Sequence, residues 1–115
     1  MNIAARLICA AALLSATPAL SEAVPRSGSL DNRVRTATYV ENQVFVIETD
    51  LRHSTTIHFG QGERFDAVIV GDTESFQVDP IPELGNVLTI KPHVQGASTN
   101  MTVITNRRTY SFHLR

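Results

Sequence analysis

From Arg33 onward no window of the chain carries the apolar spacing of a long helix; short β-rich runs recur instead, each closed by a turn signal. The runs are Arg33–Tyr39, Val44–Thr49, Thr55–Phe59, Arg64–Val70, Ser75–Val78, Val87–Lys91, Met101–Thr105 and Arg108–Leu114. Between them lie YVENQ, TDLRHS, GQGE, GDTE, DPIPELGN, PHVQGAS and TNR, all rich in turn formers. About eight short strands at this spacing predict an all-β domain, either an antiparallel sandwich or a small barrel.

Side-chain parity assigns faces, because successive residues of a strand point to opposite sides. In the closing run Tyr110, Phe112 and Leu114 point one way and Thr109, Ser111 and His113 the other, which reads as a core strand holding one sheet together. Ile57 and Phe59 point inward, with Thr56 and His58 outward. In RFDAVIV one face takes Phe65, Ala67 and Ile69, and Val68 and Val70 fall on the other. VFVIE is apolar on both parities, so that strand is expected to be central and covered on both sides. Pro80 and Pro82 should end the strand before them, since proline cannot donate to a ladder.

The first 23 residues read differently: one early cation, Arg6, an apolar run from Leu7 to Leu14, then small residues up to Ser21-Glu22-Ala23. That order is a secretory signal peptide, cleaved after Ala23 or, alternatively, after Ala19. Residues 24–32 then form a linker rich in turn formers, and 33–115 form one small β-sandwich domain. Cys9 is the only cysteine and lies within the signal, so the exported domain folds without disulfides, which suits a bacterial periplasm. A formal charge of −1 gives no basic nucleic-acid footprint.

The residue types for catalysis are present but dispersed. Serines, histidines and acids lie far apart in sequence, and no Gly-x-Ser-x-Gly elbow occurs. Of His53, His58, His93 and His113 only the first two are near neighbours, and five residues of spacing sends them to opposite faces; no metal and no cofactor are predicted. His58 and His113 fall on polar faces, where a solvated histidine is the ordinary occupant. FGQGERF places Gly60 and Gly62 after a strand but before another strand, so a hairpin turn is expected there rather than a phosphate loop. Asp72 in GDTE should accept hydrogen bonds from local backbone amides.

Several stretches taken together resemble the N-terminal domain of the TrbG/CagX family of type IV secretion and conjugation components: DNRVRTATY, TTIHFGQGERFDAVIVGDTESFQV, GNVLTIKP and TNMTVITNRRTYSFHL. The residues that carry it are Arg33, Arg35 and Tyr39, then Thr56, Phe59, Gly62 and Glu63, then Gly71, Asp72 and Phe76. Lys91, Pro92, Thr99, Asn100, Thr105, Arg108 and Tyr110 complete the set. The resemblance implies a β-sandwich in which Phe59, Phe65 and Tyr110 pack inside, Gly71 and Asp72 make a turn, and Asn100 fixes the loop before its strand. It also implies self-association in a periplasmic ring, associated with the outer membrane through the complex, beside an inner-membrane-anchored channel scaffold. Phe76 stands where the family usually has Trp. The family's second β-domain, which carries most contacts to a small outer-membrane lipoprotein, does not occur before Arg115, so the resemblance does not extend that partner to this chain. The function expected is non-enzymatic assembly of a type IV secretion core complex. The alternatives are a free-standing periplasmic protein-binding module and a truncated or split-gene fragment of a full-length ring component.

Overall fold

The computed structural model describes residues 22–115. Among these residues nine strands form and no helix: β1 (Arg26–Ser27), β2 (Arg35–Thr36), β3 (Val44–Ile47), β4 (Thr55–His58), β5 (Phe65–Val70), β6 (Phe76–Pro80), β7 (Val87–Pro92), β8 (Thr99–Thr105) and β9 (Thr109–Leu114). β1 and β2 pair as a separate two-stranded ribbon; the others make a four-stranded sheet of order β3-β9-β8-β5 and a three-stranded sheet of order β4-β7-β6. Phe45, Met101, Val103, Phe112 and Leu114 from the first sheet meet Phe76, Leu88 and Ile90 from the second in one core, joined by Phe59 just after β4. The all-β sandwich is therefore as the turn spacing predicts.

The closing strand does what its alternation requires. Phe112 and Leu114 are buried, and β9 lies between β3 and β8 rather than at a margin. Its pairing with β3 is parallel, Val44 opposite Ser111 through Ile47 opposite Leu114, whereas its pairing with β8 is antiparallel. The sandwich is thus mixed, not wholly antiparallel. Arg115 continues the parallel ladder: its amide donates to the Ile47 carbonyl at 3.0 Å and its carbonyl accepts from the Thr49 amide at 2.6 Å.

Four expectations from parity and turns need correction. VFVIE is not central; β3 is an edge strand, whose outer side is met by a single parallel bridge from Ala23. Its second apolar face is buried all the same, Val46 as completely as Phe45. In β5 a bulge between Phe65 and Ala67 inserts one residue and reverses the alternation, so Phe65, Val68 and Val70 pack inward while Ile69 is 57% exposed. Gly60–Gly62 is not a hairpin turn: β4 pairs with β7 and β5 with β8, so the chain crosses there from one sheet to the other. Only Gly62 of the two has positive φ, at 81°. Finally, the Arg33–Tyr39 run is strand only at Arg35–Thr36, and its partner β1 lies in the stretch read as linker. Pro80 is the last residue of β6, an edge strand, where a missing N–H is tolerated. The signal-peptide reading falls outside the described residues except at Glu22 and Ala23.

The bulge gives a direct test. Leu88→Ala should cost about 2–5 kcal/mol in denaturant unfolding, whereas Ile69→Ala should stay within about 0.5 kcal/mol. Comparable losses at the two positions would show that Ile69 faces the core.

Candidate functional site

The corner between the two sheets is built on a buried carboxylate. Glu63 is only 3% exposed. Its Oε2 accepts from the Gly60 amide at 2.7 Å, closing the corner on itself, and its Oε1 accepts from the Thr105 hydroxyl at 2.9 Å. The Tyr110 hydroxyl lies 2.7 Å from both oxygens, and the Arg108 guanidinium stands 3.9 Å from Oε1. Burial pushes this carboxyl's pKa up, but the bonds from Tyr110, Gly60 and Thr105 and the charge of Arg108 outweigh burial and leave it lowered. Tyr110 is pushed upward by burial and by the same carboxylate, so it remains a donor.

The network reaches further on both sides. The Arg108 guanidinium lies 4.5 Å from the centre of the Tyr39 ring, and Tyr39 meets Tyr110 edge-on at 5.2 Å while donating to the Thr109 carbonyl. Phe59 packs edge-on against Tyr110 at 4.8 Å. Asn106 accepts from the Arg64 amide at 2.8 Å and donates to the Gly62 carbonyl at 3.3 Å, stitching the β8–β9 turn to the corner. So the structure brings Tyr39, Phe59, Gly62, Glu63, Thr105, Arg108 and Tyr110 to one end of the sandwich. Asn106 belongs with them, and its place in the TNR turn is the one sequence signal that points to it.

A second group forms at the opposite end of β5. The Gly71 amide donates to the Asn100 carbonyl at 3.0 Å, and a Cβ at Gly71 would run into the Asn100 Oδ1 and Thr99 Oγ1 atoms. Asn100 sits inside β8, not in a loop before it. Asp72 accepts from the amides of Glu74 at 3.1 Å and Ser75 at 3.0 Å. Phe76 is buried and opposes Pro92, with Gln77 opposite the exposed Lys91. Thr56 faces outward across from Thr89. Arg33 and Arg35 bond within their own segment, Arg33 paired locally to Asp31 at 2.7 Å and Arg35 donating to the Pro25 carbonyl.

His113 is not simply solvated. Its Nδ1 is 2.7 Å from Glu22 Oε2 and its Nε2 is 2.6 Å from the Ser98 hydroxyl. Residues 22, 98 and 113 are far apart in the chain, as the dispersal of serine, histidine and acid implies; only strand pairing brings them into line. The line fastens the residue before the Ala23 bridge to β9 and to the loop entering β8. Among the described residues no group of three or more metal-ligating side chains gathers, and no helix is long and apolar enough to cross a membrane.

The sandwich is open along one side. β5 ends the four-stranded sheet and β6 the three-stranded sheet, and a groove of about 860 Å³ runs between them. Phe65, Val68, Val70, Phe76, Val78 and Ile81 supply its apolar lining, with Arg64, Asp66, Gln77 and His93 among the polar residues. Since β5 and β6 face each other here, β3 and β4 lie at the other side of the sandwich.

One end fastened by a buried carboxylate and one side left open define a β-sandwich module with a groove along one side. The chain belongs to the CagX family of conjugal transfer proteins, whose model matches residues 32–115. It is similar to the type IV secretion system protein PtlF of Bordetella pertussis, 30% identical over an alignment of 125 residues that covers 97% of this chain and 45% of PtlF. The PtlF homologues of Bordetella parapertussis and Bordetella bronchiseptica match to the same extent. The chain thus spans about half the length of the curated relatives it matches.

The Glu63 network carries a pH prediction. A carboxyl whose folded pKa lies below its ordinary value of 4.5 stabilises the fold above that pH and stops doing so as pH falls through the folded value. Tyr110→Phe removes one donor, so it should cost about 1.5–3 kcal/mol at neutral pH. It should also bring acid unfolding to higher pH. Urea titrations at pH 7 and across pH 5 to 3 check both; an unchanged acid limb would show that Tyr110 does not hold the charge.

Proposed function

We propose that this chain is a structural component of a type IV secretion core complex, working in the periplasm by assembly and not by catalysis. Family membership over residues 32–115, which span β2 to β9, carries this reading and makes the chain a secretion-system component. The signal-like order of residues 1–23 supports export to the periplasm. The chemistry of the described site is in keeping with a structural role, since Glu63, the most deeply buried ionisable group of the corner, has its oxygens occupied by the fold itself.

The partners in this reading are further copies of the chain, arranged as a ring, and an inner-membrane-anchored channel scaffold of the same apparatus. The lipoprotein contacts associated with the family's second domain are not assigned to this chain. Ring assembly needs a rigid unit, since movement within each unit would accumulate around a closed ring. The cross-linked corner at Glu63 supplies that rigidity where the chain passes between sheets.

A photo-cross-linking residue at Thr56 or His58, both exposed on β4, should trap the channel scaffold or a second copy in cells making the whole apparatus. Recovery of monomer alone from cells with an assembled apparatus would overturn the ring reading and favour a free-standing binding module.

A further inference from the structure

We propose that the N-terminal arm of one copy, Val24–Thr38, docks in the β5–β6 groove of the next copy. The proposal rests on the self-association reading above and adds the two surfaces that meet.

The groove presents the kind of surface that accepts an added strand. β5 and β6 each have one neighbour in their sheets, so the main-chain donors and acceptors of their outer sides are unpaired within those sheets. The bulge at Phe65/Ala67 and Pro80 blunt one end of each edge, which leaves Ala67–Val70 and Phe76–Asp79 as the regular stretches.

The arm presents the complement. It folds on itself as the β1–β2 ribbon, and the hydrogen bonds of its turn stay inside it: the Gly28 amide to the Val34 carbonyl at 2.6 Å, and the Val34 amide to the Asp31 carbonyl at 3.1 Å. Its apolar residues are left in water, with Leu30 101% exposed and Val24 and Val34 each more than half exposed. Such a run is uncommon on a solitary surface and marks contact with another chain.

Charge favours the same match. The arm carries Arg26, Arg33 and Arg35 against the single acid Asp31. The segment that supplies most of the groove, Arg64–Leu84, carries Asp66, Asp72, Glu74, Asp79 and Glu83 against the single cation Arg64, and of these Asp66 and Arg64 line the groove itself. Opposite net charge on the arm and on the segment around the groove steers them together and disfavours arm-to-arm contacts.

Placement makes the contact intermolecular and directional. The arm is rooted where the chain runs on into β3 at Val44, and the groove lies on the other side of the sandwich, between β5 and β6. Donor and acceptor are different patches at opposite sides of one unit, so the contact is heterologous and repeats head to tail, which closes into a ring when the rotation per copy permits.

Two differently tagged full-length copies, both carrying Cys9→Ala, test this when co-expressed and oxidised in the cell envelope. Leu30→Cys in one and Gln77→Cys in the other should give a mixed disulfide several-fold more abundant than Leu30→Cys with Arg52→Cys, which places the second thiol in the β3–β4 loop. The double variant Leu30→Asp/Val34→Asp should weaken self-association about tenfold or more while leaving the thermal unfolding midpoint unchanged, because both side chains are exposed. Copies that associate yet cross-link at Arg52 and not at Gln77 would overturn the docking and leave the ring reading standing. Copies that fail to associate at all while the apparatus assembles would overturn both.

Discussion

A carboxylate taken out of water costs several kcal/mol unless nearly all of its hydrogen-bonding capacity is met, and Glu63 places that demand at the point where the chain changes sheets. Three separate segments answer it: the Gly60 amide within the corner, Thr105 at the end of β8 with Arg108 in the turn after it, and Tyr110 from β9. The charge therefore sets the position of the β4–β5 corner against the far end of β8. Tyr39, packed against both Arg108 and Tyr110, extends the same constraint to the root of the N-terminal arm. The cost of misplacing any one of these groups is a buried charge short of a donor, a far sharper penalty than a loosened apolar contact.

The physics that is legible in the sequence is local. Turn clusters mark where strands stop, and the alternation of Tyr110, Phe112 and Leu114 identifies a core strand without reference to its neighbours. What is not legible depends on which strands become neighbours. Nothing in VFVIE says that its ladder partner is the last strand of the chain, running parallel, and its apolar character on both faces points to a central position that it does not occupy. The bulge in β5 has no signature in RFDAVIV, yet one inserted residue moves Ile69 from the core to the surface. Gly-x-Gly between two strands reads equally as a hairpin or as a corner, and pairing alone decides.

The same distinction applies to the site. The residues that carry the family resemblance include Glu63, Thr105, Arg108 and Tyr110, and the fold gathers these four with Tyr39, Phe59 and Gly62, although no spacing in the sequence announces a shared network. Gly71 has a different reason to be glycine, the close approach of Thr99 and Asn100, which a single sequence cannot display. Arg33 and Arg35 stand outside both groups, on an arm whose apolar residues face water.

These features divide the molecule into parts with opposite needs. At the Glu63 end polar groups are satisfied internally, which favours a fixed shape and leaves little for a partner to offer. Along β5 and β6 the sheets stop without a covering element, so the main chain there depends on water or on another polypeptide. A free β edge is hazardous unless its pairing is restricted, and here restriction comes from a bulge, a proline and the charged pair Arg64 and Asp66 beside an apolar floor. Such an edge discriminates among strands, because only its short regular stretches can take a partner. A module of this design can be stable alone and still gain most of its remaining main-chain bonds only when a further chain is present.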